Sequence, residues 1–383
     1  MRYRELKRCG NQKVSEIGLG CEGFINKSTE EFVKMLHYAM DRGVNFMDLY
    51  TPNPVFRDNL GKAIAGKRDQ IVLQGHICSV WEKDQYLRSR DLKKSKASFE
   101  DQLKRLGTDY IDVGMIHYVD GEKDFEEVFH GDIIAYCRQL KKEGKIRAIG
   151  ISSHNPLVAK KAVETGDIDV LMFSVNAAYD MQPPGEDCNA LWDPENYKNG
   201  LTDMNPDRKE LYELCERMDV AIDVMKAFGG GDMLDAKLSP FGVAFTEAQC
   251  MEYCLTRPGV VSVMAGCHSI EQLQKSLSYL EASREEQDYA SVLSKMEKFK
   301  FQGNCMYCGH CAPCVKGISV ADVNKYLNLA LAQGEVPETV ADHYKLLEHH
   351  ASECVNCKSC ERNCPFGVEV VKRMEKAVEV FGY

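Results

Sequence analysis

The sequence predicts a (β/α)8 barrel over residues 1–295, with an α-helical, cysteine-rich domain appended over 296–383. Three observations carry that prediction. From residue 14 to about 282, eight β-rich runs alternate with amphipathic helical runs, which is the arithmetic of a barrel. The β-rich runs are crowded with Val, Ile and Met and lack clean alternation, as strands covered on both faces do. Past residue 295 the composition shifts, and eight of the 17 cysteines fall between 305 and 364.

In order, the strands are expected in VSEIGLGC, NFMDLY, IVLQGHI, YIDVGMIHYV, IRAIGISSH, VLMFSVN, VAIDVMKAF and VVSVMAG. Between them EEFVKMLHYAMDRG, DLKKSKASFEDQLKRLG, IIAYCRQLKKEG and DRKELYELCERMD carry helical periodicity. Several end in Gly, the usual stop. An open doubly wound sheet is the rival arrangement. It would want a GxGxxG turn after the first strand, and IGLGCEGF supplies none. The longest irregular stretch, residues 177–206, follows the sixth strand and contains Pro183, Pro184, Gly185, Pro194 and Pro206. It reads as a lid or binding loop. Residues 319–332 and 337–350 read as two helices between two cysteine motifs.

The chain has 383 residues, 44% of them hydrophobic, enough for two domains at roughly 100–200 residues each. Lys+Arg 48 against Asp+Glu 58 leaves a net charge of −10. That argues against nucleic-acid and anionic-membrane partners, which want a basic face. No run approaches the ~18 uninterrupted apolar residues of a membrane span. The opening MRYRELKRCGNQKVSEIGLG has no apolar signal core, so a cytoplasmic protein is expected. An odd number of cysteines without an export signal speaks for metal, not a disulfide framework.

Cys305, Cys308, Cys311 and Cys314 form C-x2-C-x2-C-x2-C, and Cys354, Cys357, Cys360 and Cys364 form C-x2-C-x2-C-x3-C, followed by Pro365. The second is the bacterial ferredoxin run, in which the fourth thiolate serves the other cluster. Two [4Fe–4S] clusters are expected, one on Cys305, Cys308, Cys311 and Cys364, the other on Cys354, Cys357, Cys360 and Cys314. Structural zinc uses paired C-x2-C knuckles, and triple runs would leave thiolates over. The 39 residues between Cys314 and Cys354 look helical, which suggests an α-helical ferredoxin-like module.

Taken in order, MRYRELKRCGNQKVSEIGLG, GVNFMDLY followed by NLGKAI, YIDVGMIHYVD, GKIRAIGISSHNP, VMKAFGGG and CMYCGHCAPC resemble the landmarks of the aldo-keto reductases. The likeness is to the subgroup with a C-terminal double-cluster ferredoxin-type domain. It implies a nicotinamide cofactor, usually NADP(H), and chemistry on a small hydroxy or carbonyl compound. It also implies four side chains at the barrel mouth: a proton-donating Tyr, a Lys that lowers its pKa, an Asp that holds the Lys and a substrate-orienting His. Asp48 matches the Asp and His117 the His. Asn53 and Pro54 stand where the Tyr is usual, with Tyr50 the nearby phenol, and His76 stands at the Lys position. For the cofactor, the resemblance points to Ser152, Ser153, Ser174 and Asn176 at the carboxamide and to Lys226. Backbone amides from Gly266 to Ser269 could cradle a phosphate at a helix start.

These residues suggest a mechanism. A carboxylate beside an imidazole fixes its tautomer and raises its basicity. His76, oriented by Asp48, is thus the expected general acid/base, with Tyr50 or His117 handling the substrate oxygen. The clusters suggest one-electron traffic with a ferredoxin or flavodoxin carrier. Two other classes compete: a lyase, dehydratase or isomerase using the Asp48–His76 pair, and a non-catalytic redox sensor or scaffold.

Overall fold

The computed structural model describes residues 1–192, 203–296, 302–332 and 336–383. It opens with an antiparallel hairpin, β1 (Tyr3–Leu6) and β2 (Gln12–Ser15). Eight parallel strands then close a barrel: β3 (Ile17–Gly20), β4 (Phe46–Leu49), β5 (Val72–Ile77), β8 (Ile111–Ile116), β9 (Ile146–Ser153), β10 (Val170–Ser174), β11 (Ala221–Met225) and β12 (Val260–Gly266). Each lies within one of the eight runs read from the sequence. Between β5 and β8 a second hairpin stands apart, β6 (Ser79–Glu82) and β7 (Gln85–Arg88).

The barrel interior is layered. Leu6, Cys9 and Val14 of the opening segment plug the lower end, against Phe46, Val72 and Val113. Above that apolar plug lies a polar layer of Asp48, Gln74 and Asp223, all buried. The functional end lies above this layer, at the C-terminal strand ends, as in other barrels.

The outer helices are α1 (Thr29–Met40), α2 (Pro54–Ile64), α3 (Leu92–Leu106), α4 (Glu122–Phe129), α5 (Asp132–Lys142), α6 (Pro156–Glu164), α7 (Pro206–Arg217), α8 (Glu247–Leu255) and α9 (Ile270–Ser278). Their starts are written in the sequence. Ser28 with Glu31, and Thr246 with Gln249, form capping boxes, each satisfying two orphan amides. Asn53, Asn155 and Asn205 each cap a helix whose first residue is Pro. Gly107 ends α3 in the left-handed region.

After the short α10 (Ala290–Leu293) come α11 (Val320–Leu331), α12 (Glu338–Lys345), α13 (Ser359–Asn363) and α14 (Val370–Phe381). The helices expected at 319–332 and 337–350 are α11 and α12. Arg373 of α14 reaches the side-chain oxygens of Asn324 and Asn328 on α11. The domain docks on α7, where Lys325 Nζ lies 2.9 Å from Glu216 and Thr339 Oγ1 donates to the Arg217 carbonyl at 2.6 Å. Among the described residues, no helix is long and apolar enough to cross a membrane.

Candidate active site

Neighbouring strands β4, β5 and β8 bring Asp48, His76 and His117 together. Asp48 pairs with Gln74 across β4 and β5, and His76 pairs with Met115 across β5 and β8. His117 follows β8 directly, its amide donating to the Ile77 carbonyl at 2.9 Å. His76 Nε2 lies 2.8 Å from Asp48 Oδ1, and His76 Nδ1 lies 2.6 Å from His117 Nδ1. His117 Nε2 lies 2.5 Å from the hydroxyl of Tyr86.

Hydrogen-bond accounting gives one direction for this chain when both imidazoles are neutral. A carboxylate only accepts, so a neutral His76 donates from Nε2 and accepts at Nδ1. His117 must then donate from Nδ1 and accept at Nε2, and Tyr86 must donate its O–H. Every member is satisfied with both imidazoles neutral. Burial, then the neighbouring His76, Arg90 and Arg88, hold His117 well below the usual imidazole range, in keeping with the neutral form.

Asp48 Oδ1 also accepts from Gln74 Nε2 at 3.0 Å, and the same nitrogen donates to Asp223 Oδ2 at 3.0 Å. Burial drives the Asp223 carboxyl well above the carboxylate range, and Asp48 adds to the shift. Asp223 therefore keeps its proton beneath an Asp48 that accepts two hydrogen bonds.

Tyr86 comes from the β6–β7 hairpin, and sequence reasoning missed it. Its hydroxyl is held by charge and by packing. Arg90 donates to the carbonyls of His117 and Tyr118 at 2.8 and 2.6 Å, and Arg88 reaches Asp124 at 2.7 Å. Ser79 Oγ at the hairpin base donates to the Tyr50 carbonyl at 2.6 Å. The Tyr50 ring stands edge-on to Tyr86, centroids 6.2 Å apart. Burial pushes both phenols up, Tyr86 against the opposing pull of Arg88 and Arg90.

A cavity of about 620 Å³ opens over this chain. Asp48, Tyr50, His76, Tyr86 and His117 line one side, and Lys226, Gly266, His268, Gln272 and Lys275 line another. The expectations for individual residues divide here. Ser152, Lys226 and Gly266 line the cavity. Ser153 instead donates to Asp120 at 2.9 Å, and Asn176 braces the turn after β10, accepting from the Ala178 and Tyr179 amides. Ser174 Oγ is buried without a hydrogen-bond partner, and Ser269 caps α9. Of Ser152, Ser153, Ser174 and Asn176, Ser152 is the one on the cavity lining, its oxygen accepting from the Tyr118 amide at 2.8 Å.

The bonds above engage both ring nitrogens of His76 and of His117, and the hydroxyl of Tyr86 ends the chain at the cavity. The described part of the 177–206 loop contributes no residue to the cavity lining, and positions 193–202 lie outside the described residues. Asp180, in the described part, is buried beneath Arg208, Tyr212 and Tyr253.

In the C-terminal domain, Cys314, Cys354, Cys357 and Cys360 line one small cavity with Ile318, Val320 and Met374. Burial raises the Cys305 thiol, and burial pushes the Cys308 thiol up to about 11, with Cys364 adding to both. Burial again leads at Cys311, pushed up to about 12 with help from Cys305 and Cys308. Cys314 thus shares a cavity with the second motif's cysteines, and Cys364 acts on Cys305 and Cys308 of the first. Among the described residues no group of three or more His, Cys, Asp or Glu is drawn together closely enough for a single ion, and thiols in this number suit iron–sulfur ligation.

The family model for the aldo/keto reductase family matches residues 16–249, more than half of the chain. The chain belongs to the aldo/keto reductase family. A second model, the 4Fe-4S dicluster domain, matches residues 279–369, the span holding all the motif cysteines. Among curated relatives, the uncharacterized oxidoreductase YqkF of Bacillus subtilis (strain 168) is 28% identical over 314 residues, covering 78% of this chain and 97% of that protein. The aldo-keto reductase YhdN of the same strain is 32% identical over 163 residues, 40% of this chain and 47% of that protein. Among solved structures, the aldo-keto reductase AKR11C1 from Bacillus halodurans (holo form) superposes with a TM-score of 0.57 at 24% identity, over 75% of this chain and 94% of that one. That last likeness is one of fold.

This aldo/keto reductase is an oxidoreductase whose barrel carries an iron–sulfur domain. Asn53 and Pro54 form the cap and first residue of α2, with Asn53 Oδ1 accepting from the Val55 and Phe56 amides. His76 contacts both Asp48 and His117.

Proposed function

We propose that this chain interconverts an alcohol and a carbonyl on a small substrate at the barrel mouth, with Tyr86 meeting the substrate oxygen. The single observation that carries this reading is the four-membered chain from Tyr86 through His117 and His76 to Asp48. In the oxidising direction the alcohol proton passes to the Tyr86 oxygen while Tyr86 passes its own to His117 Nε2. The Nδ1 proton of His117 moves to His76 Nδ1, and the Nε2 proton of His76 moves to Asp48. The reverse traffic protonates a carbonyl oxygen. Such relays position a proton donor without a permanent cation beside the phenol.

A nicotinamide dinucleotide, NADP(H) by family habit, would supply hydride-transfer chemistry when bound at this mouth. Lys226 and Lys275 would supply positive charge for its phosphates, with His268 beside them on the lining, and Gly266 precedes the N-terminus of α9, where amides favour anions. Cys305, Cys308, Cys311 and Cys364 would hold one [4Fe–4S] cluster, and Cys354, Cys357, Cys360 and Cys314 the other. Cys357 is exposed, and Val315 and Val355 beside it are exposed too. That face suits a ferredoxin or flavodoxin carrier exchanging single electrons.

Tyr86→Phe tests the central claim. Turnover should fall by about 10²–10⁴-fold, with iron content and dinucleotide affinity unchanged. Wild-type turnover in that variant would refute the relay.

A further inference from the structure

Arg257 follows α8 at the seam between barrel and iron–sulfur domain and is 2% exposed. Its hydrogen bonds all run to neutral oxygens. Nε donates to the Tyr253 carbonyl at 3.1 Å, and Nη2 to Thr256 Oγ1 at 3.1 Å, the Tyr289 hydroxyl at 3.0 Å and the Met306 carbonyl. The guanidinium lies 4.5 Å from the Tyr253 ring centroid and 5.6 Å from that of Tyr307. Among the described residues it forms no ion pair. The carboxylate of Asp180 is taken instead by Arg208, Tyr212 and Tyr253.

A buried cation without a direct ion pair is costly, with the Asp180 carboxylate acting on Arg257 only from further off. Here the guanidinium points into the turn that joins two cluster ligands, since Met306 lies between Cys305 and Cys308. The Tyr289 hydroxyl donates to the same carbonyl at 2.6 Å, so barrel groups grip this turn twice. On the turn's other side, Asn328 Nδ2 donates to the Tyr307 hydroxyl at 2.7 Å, and the Asn328 side-chain oxygen accepts from Arg373. Arg373 is half-buried and likewise forms no ion pair among the described residues. Two guanidinium groups therefore flank one cysteine turn. The other quartet has the solvent-exposed Lys316 and Lys358 along its cavity and the exposed Arg362 donating to the Cys357 carbonyl at 3.1 Å, cations that solvent screens strongly.

We infer that Arg257, backed by Arg373, is the built-in counter-charge of the cluster on Cys305, Cys308, Cys311 and Cys364, and holds that cluster's reduction potential above the value its burial would set. The inference rests on the two-cluster reading above. A thiolate-bound cluster is anionic and gains one negative charge when a one-electron carrier reduces it, so a fixed buried cation favours the reduced state. Arg257 is a positioning residue, acting on the cluster through charge and through the Met306 carbonyl.

An EPR-monitored redox titration of the anaerobic holoprotein tests this. The wild type should carry about eight iron atoms and two reducible signals. Arg257→Gln should move one midpoint potential to more negative values and leave the other in place. Arg257→Lys, which keeps the charge, should stay close to wild type, and Arg373→Gln should move the same signal by less. If Arg257→Gln fails to take up iron, Arg373→Gln alone decides. Unmoved potentials, or two that shift together, overturn the inference while both clusters stand. A wild type lacking two reducible signals removes the two-cluster reading and this inference with it.

Discussion

His117 is the residue whose protonation most directly breaks the proposed relay, in which its Nε2 accepts. Its folded pKa lies well below the ordinary value of 6.5, so on acidification the unfolded chain takes up a proton that the folded chain refuses. The native state binds fewer protons below about pH 6.5, and stability falls as pH falls through that window. The slope from this one group is about 1.4 kcal/mol per pH unit. Chemical denaturation at pH 7.5, 6.5 and 5.5 checks it: His117→Asn should lose stability less steeply than wild type. Equal slopes would mean that His117 titrates normally in the fold.

Among elements, the β6–β7 hairpin matters most, because it alone delivers Tyr86. Its turn residues Lys83 and Asp84 have φ of 51° and 59°, a two-residue turn with both centres left-handed. Lys83→Pro cannot adopt that backbone and should lower turnover nearly as far as Tyr86→Phe, without touching a site residue. Asp84→Gly relieves strain and should raise stability by up to about 1 kcal/mol with turnover intact. Steady-state kinetics beside denaturant midpoints separate the two effects.

This hairpin also marks where the sequence is hard to read. Left-handed turns are usually announced by Asn-Gly or Asp-Gly, and Lys-Asp announces nothing. The eight barrel strands were legible because burial on both faces leaves a compositional mark. Asp48, His76 and His117 were legible because strand ends place them on one rim. What a strand-end hydroxyl bonds to was not legible. Ser153 and Asn176 serve neighbouring backbone and carboxylate groups, and no periodicity distinguishes that from a hydroxyl aimed into the cavity.

At the scale of the molecule, two units of different origin share one seam. The barrel has its own closed hydrogen-bonded ring, while its apolar shell runs on into C-terminal residues such as Met306, Ile318 and Val323. The C-terminal domain offers short helices around thiols, and in small domains of this kind metal binding supplies folding free energy. Removing iron with a chelator under anaerobic conditions should therefore unfold the C-terminal helices first and leave a barrel transition at higher temperature. Two resolved calorimetric transitions, with far-UV circular dichroism losing helix in the first, are the expected record. A single transition at the holoprotein's temperature would mean that the helices stand without metal.

The polar layer under the rim has one more consequence. In the proposed relay, a proton that reaches Asp48 meets Gln74 Nε2, a donor that cannot take it. The Gln74 side-chain oxygen and Asp223 Oδ1 lie buried without partners. The floor of the site therefore keeps two unclaimed oxygens just below the relay's last carboxylate.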